Sequence, residues 1–93
     1  MDGKIGLVQC DCAHMHDDKI FDGFKYILNI IDIFSHKAWS SPLRNIDADT
    51  VTREFTRMFN DIHTVTVYQT DNGREFSGDV AGYKHIFSRP HVL

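Results

Sequence analysis

Proline and glycine are scarce, cysteine is nearly absent, and neither sign of charge dominates. The 93 residues hold two Pro, six Gly and two Cys, with ten Lys or Arg against thirteen Asp or Glu. So few prolines and glycines, beside 42% apolar residues, exclude a disordered chain. Cys10 and Cys12, with a single residue between them, are badly placed to pair and give no secreted-type disulfide framework, which points to a reducing intracellular setting. A net charge of −3 lacks the signature of a basic nucleic-acid-binding domain, so any contact with a polyanion must be local. No apolar run approaches the ~18 residues of a membrane span. The longest, Tyr26 to Phe34, is broken by Asn29 and Asp32. The N-terminus lacks the charged-then-apolar layout of a signal peptide, and no repeat, low-complexity stretch or evident linker interrupts the chain.

What is present reads as one small α/β domain. Seven Phe, three Tyr and one Trp supply bulk for a core that is modest at this length. Leu7 to Met15 is strand-like, and Asp22-Gly23, between Lys19-Ile20-Phe21 and Phe24-Lys25-Tyr26, is a two-residue hairpin signal. A second strand follows over Tyr26 to Asp32, with apolar residues on both faces as in a strand covered on both sides. After a turn at Ser35-His36-Lys37 comes a third strand, Ala38 to Leu43, in which Pro42 favours the strand end or a sheet edge. Asp47 or Asp49 then caps a helix whose Val51, Phe55, Met58 and Phe59 share one buried face. Thr64 to Gln69 alternates with period two and is dense in β-branched residues, giving a fourth strand. A helix between strands implies a parallel crossover, which can lay strand four beside strand one. A short helical or irregular stretch through Val80 and Tyr83 leads to a fifth strand around His85-Ile86-Phe87.

That arrangement brings two aspartates toward each other. Asp11 lies on strand one, on the same face as Gln9 and Ala13, and Asp71 follows Gln69 just past strand four. Neighbouring strands run about 4.8 Å apart. Carboxylates that close repel unless a cation lies between them. A Mg²⁺ or Mn²⁺ ion removes the repulsion and can polarise a phosphate or activate water, and a pair of such ions for in-line phosphoryl displacement needs at least one more carboxylate. The competing reading is plain structure: Asp11 pairs with a lysine or ends in a turn, and Asp71-Asn72-Gly73 is a strand-terminating turn of the usual residue types.

Four segments in order tip the balance toward chemistry. Gln9-Cys10-Asp11, the run from Tyr26 through Trp39, Thr70-Asp71-Asn72-Gly73-Arg74-Glu75-Phe76 and Ser88-Arg89-Pro90-His91 together resemble the retrovirus-type integrase catalytic core, in the flavour of retrotransposon and Polinton/Maverick-type integrases. The resemblance covers nearly the whole chain. It implies a ribonuclease H-like fold, a five-stranded mixed sheet of three antiparallel strands, a helix, a parallel fourth strand and a short fifth. It also implies DNA integration by 3′-end processing and strand transfer, with Asp11 and Asp71 as catalytic and metal-binding residues for Mg²⁺ or Mn²⁺. DNA is the implied partner, with a homo-oligomer formed through the core, no membrane, and a nuclear or virus- or transposon-associated setting.

The departures limit that reading. The family's third carboxylate lies on a helix after the Ser-x-Pro-His segment, a position these 93 residues do not reach, and Glu75 is not its substitute by position. The zinc-binding N-terminal and DNA-binding C-terminal domains of the family have no counterpart here either. The chain is thus expected to be a partial core without its C-terminal helices, with part of its sheet uncovered. Taken alone it is expected to give little or no strand transfer. The rival reading is a catalytically inert nucleic-acid-binding or dimerisation remnant.

Other features carry two readings each. Cys10, Cys12, His14 and His16 suggest zinc, but on an extended strand the first and last stand about 20 Å apart, too far for one ion, and a strand Cys serves as a small buried filler. Lys84, Arg89 and His91, with His85, form the most basic stretch and could contact phosphate, or be an exposed polar tail. Trp39 and Phe34 read as core and sheet packing. Arg53, Glu54 and Arg57 read as helix-surface pairs, with a dimer interface as the rival role.

Overall fold

The computed structural model describes residues 6–15 and 23–88. Its elements are β1 (Leu7–His14), β2 (Tyr26–Asp32), β3 (Ala38–Leu43), α1 (Ala48–Ile62), β4 (Val67–Thr70), a 3-10 turn (Arg74–Phe76) and β5 (Lys84–Phe87). They form one sheet in the order β3-β2-β1-β4-β5. β1 pairs antiparallel with β2, and β2 with β3, while β4 runs parallel to both β1 and β5. This is the ribonuclease H-like mixed sheet expected from the sequence. Of the expected hairpin, Gly23 has the positive φ of 82° such a turn requires, and Lys19 to Asp22 lie outside the described residues.

Local chemistry sets the ends of α1. Asp47 is the N-cap: its carboxylate accepts from the Thr50 amide at 3.2 Å and the Thr50 hydroxyl at 2.8 Å, which holds its pKa below the ordinary carboxylate range. Asp49 sits in the first turn, where negative charge suits the helix dipole. At the far end His63 adopts a left-handed conformation, φ 68°, and its amide closes on the Phe59 carbonyl at 3.0 Å.

Val51, Phe55, Met58 and Phe59 are the buried residues of α1, as the spacing requires. They pack on Val8, Cys10, Leu28, Ile30 and Tyr68 of the sheet. The centre is aromatic: Phe55 and Phe59 stack at 5.3 Å, both tilt against Tyr68, and Tyr83 meets Phe59 edge-on at 5.0 Å. Tyr68 is fully buried, and its phenol oxygen accepts from the Val80 amide at 2.9 Å, so no polar atom is stranded there. A second link joins sheet to helix through the Ser41 hydroxyl, which donates to Glu54, itself paired with Arg57; that pairing lowers the Glu54 pKa.

Three expectations need correction. β4 begins at Val67 rather than Thr64, because the chain leaves α1 through the left-handed His63 and the Thr66 and Val67 amides are both taken by the Gly6 carbonyl, at 2.9 and 3.1 Å. β2 has its second face open: Ile31 is 46% exposed, and the one α-helix among the described residues covers the opposite side. Phe34 is 57% exposed, on a turn capped by the Asp32 carboxylate, which accepts from the Phe34 and Ser35 amides. Trp39 does pack against the core.

Gly6 ties the start of β1 to β4. Its φ is 101°, and a β-carbon there would stand 2.5 Å from Thr66 Oγ1 and 2.8 Å from the Thr64 carbonyl oxygen. Backbone strain of this kind costs about 1–3 kcal/mol before any clash. Gly6→Ala is therefore expected to lower unfolding free energy by at least ~2 kcal/mol in urea denaturation; an unchanged midpoint would contradict this account of the β1–β4 junction.

Candidate active site

The β1–β4 pairing decides where the two aspartates stand. Leu7, Val8 and Gln9 pair with Val67, Tyr68 and Gln69, a constant offset of sixty residues. The paired register stops at Gln9 and Gln69; Asp11 lies two residues further along β1, and Asp71 lies two residues further, just past the end of β4 at Thr70. Gln9, Asp11 and Ala13 are exposed and alternate with buried Val8 and Cys10, so Asp11 lies on the sheet face away from α1. Both aspartates are exposed.

Each is oriented by neighbours. Asn29, across from Asp11 in β2, donates from Nδ2 to Asp11 Oδ1 at 3.3 Å, and its own Oδ1 accepts from the Ser40 hydroxyl at 2.8 Å. A polar row thus crosses three strands on the open face and ends at Asp11. Asp71 Oδ1 accepts from the Gly73 amide at 2.7 Å, an Asx turn that bends the chain away from β4. β5 clamps the end of β4, with the Ser88 amide on the Thr70 carbonyl at 2.7 Å and Gln69 Nε2 on Ser88 Oγ at 2.7 Å.

Glu75 approaches the same place. A β-carbon on Gly73 would lie 2.8 Å from Glu75 Oε1 and 3.0 Å from Asp71 Oδ1, so the two carboxylates flank one small gap that glycine leaves open. Glu75 and Asp11 also act on Cys12: burial first, then these two negative charges, push its thiol up to about 11. Cys10 is pushed up by burial and then by Asp11. Both shifts favour the thiol over the thiolate, and Cys10 fills the core. Among the described residues no group of three or more His, Cys, Asp or Glu side chains is arranged to hold a metal ion.

The basic residues fare differently. Lys84 is exposed and pairs with Val67, four residues before Asp71, so it stands at the far end of its strand, about 13 Å away along an extended chain. Arg89 and His91 lie outside the described residues, as does His16. His85, grouped with them as a possible phosphate contact, has a side chain only 4% exposed and bonded within the fold. Its partner is Thr70, the first residue of the Thr70-to-Phe76 segment; that contact is not legible in the sequence, because it spans fifteen residues and depends on the β4–β5 register.

No helix among the described residues is long and apolar enough to cross a membrane. No curated protein matches the chain. A family model described as the integrase core domain matches residues 2–91, nearly the full length. With that match and the mixed sheet of matching order, the chain belongs to the integrase core domain family, the retrovirus-type catalytic core of DNA integration.

Proposed function

We propose that the chain carries the metal-holding part of a polynucleotidyl transferase that processes 3′ ends and joins them to target DNA, with Asp11 and Asp71 as the catalytic carboxylates. The single observation that supports this reading is the β1–β4 register, which runs Gln9 against Gln69, each two residues before one of the aspartates. The donor set fits a hard cation: two exposed carboxylates, with the Asn29 amide fixing one and the Gly73 amide fixing the other. When bound there, Mg²⁺ or Mn²⁺ would polarise a DNA phosphate and lower the proton affinity of an attacking water or 3′-hydroxyl. The protein's share is to hold the two carboxylates in place. Lys84, Arg89 and His91 are proposed as secondary contacts to the DNA backbone, and the core as a homo-oligomer.

A second reading, an inert DNA-binding or dimerisation module, is favoured by one observation: among the described residues no group of three or more His, Cys, Asp or Glu side chains is arranged to hold a metal ion. The only glutamates, Glu54 and Glu75, both precede the Ser-x-Pro-His segment after which the family pattern sets its third carboxylate. An end-labelled DNA duplex incubated with Mn²⁺ separates the two readings. The 93 residues alone are expected to give little or no joined product, and a version extended by a helix that carries a glutamate is expected to gain it. Extension with no gain would support the inert module.

Gly73 gives a finer test. Its φ of −64° is ordinary, so alanine is not strained there, but the added methyl enters the gap between Asp71 and Glu75. Gly73→Ala is expected to change stability by less than ~1 kcal/mol yet weaken Mn²⁺ binding roughly threefold or more by displacing Asp71 Oδ1. Equal affinities in calorimetric titration would contradict the placement of the ion beside Asp71.

A further inference from the structure

One polar chain runs from Asp79, whose side chain is 76% exposed, through the buried His85 ring to buried Thr70. Thr70 is 1% exposed, and its Oγ1 lies 2.7 Å from His85 Nε2 and donates to the Asp71 carbonyl at 2.9 Å. On the far side of the ring, His85 Nδ1 lies 3.0 Å from Asp79 Oδ1. The imidazole stacks on Tyr68 at 4.3 Å and 17°, and leans on Phe87 at 4.2 Å. Those packing contacts would be met by phenylalanine. Burying a polar ring costs free energy unless its nitrogens are bonded, and both are.

The chain has a direction. A hydroxyl has one proton and two acceptor lone pairs, so Thr70 can give its proton to the Asp71 carbonyl while accepting from Nε2–H; a second donor, Nδ1–H toward the Asp79 carboxylate, requires the ring as an imidazolium, since a neutral imidazole carries one N–H. We propose that Asp79, His85 and Thr70 form a positioning relay that fixes the main chain at Asp71 and, through the Asx bond to Gly73, the direction of its carboxylate. Its part in catalysis rests on the reading of Asp71 as a metal-holding residue. Thr70 and His85 touch neither ion nor substrate; they act through Asp71. The relay runs from β5 to β4, so docking of the fifth strand sets the geometry of the site.

The Gly73 amide, bonded to Asp71 Oδ1, reports that direction without any metal. Its hydrogen exchange is to be compared in the wild type, Thr70→Val, Thr70→Ser and His85→Phe. The Lys84 amide, bonded to the Thr66 carbonyl, monitors the β4–β5 ladder. Thr70→Val and His85→Phe are expected to speed exchange at Gly73 on the order of tenfold, the worth of a charge-assisted bond, and to leave Lys84 unchanged. Thr70→Ser, which keeps the hydroxyl, is expected to match the wild type. Unchanged Gly73 exchange in Thr70→Val overturns the relay, and so does a rise at Lys84 in step with Gly73, which marks general loosening. Mn²⁺ affinity measured on Asp71→Asn separates the parent reading: affinity indifferent to that change defeats the metal assignment, while Gly73 exchange still decides the relay.

Discussion

Phe59→Ala is expected to remove most of the chain's stability at room temperature. Phe59 is fully buried at the meeting point of Phe55, Tyr68 and Tyr83, so truncation removes three ring contacts at once. Such a change costs about 3–5 kcal/mol in transfer and cavity terms. A domain of this length holds a net stability of roughly 5–14 kcal/mol, toward the low end where one helix covers one face of a sheet. The loss is therefore comparable with the whole margin. Phe59→Leu, which keeps most of the volume, is expected to lose clearly less. Urea denaturation of both variants checks this, and a Phe59→Ala protein with a native-like midpoint would mean that the aromatic cluster is not the centre of the core.

The second large effect concerns binding. Asp71→Asn and Asp11→Asn are each expected to weaken Mn²⁺ binding by at least tenfold, on the order of what ligand-shell changes cost at metal sites. Both residues are exposed. Asparagine also keeps an oxygen that can accept from Gly73 at one position and from Asn29 at the other. Stability of the metal-free protein is thus expected to hold within about 0.5 kcal/mol, which separates lost affinity from lost folding. The two losses should be less than additive, since carboxylates that share one ion act as a unit. A double variant whose loss is the full product of the single losses would point to two independent sites.

Much of this was legible in the chain itself, because the signals are local. The buried face of α1 follows from Val51, Phe55, Met58 and Phe59, its start from the Asp47/Asp49 pair, and the parallel pairing of β1 with β4 from one crossover. The failures share a physical cause. Thr64 and Val65 alternate like a strand, but strand pairing needs a neighbour, and the left-handed His63 and the Gly6 carbonyl delay the register to Val67. Ile31 and Phe34 look like core by composition, yet nothing in their own segment says which face is covered. The bond from Thr70 to His85 and the approach of Glu75 to Asp71 are products of tertiary register and of one glycine's missing side chain. No periodicity announces either.

The proposed function turns on Asp11 and Asp71 holding one divalent ion together. The most direct measurement is the Mn²⁺ affinity of the wild type, Asp11→Asn and Asp71→Asn, titrated side by side under identical buffer and salt. Saturable binding by the wild type is expected, with a loss of at least about tenfold in both variants. Equal affinity in all three proteins would contradict it.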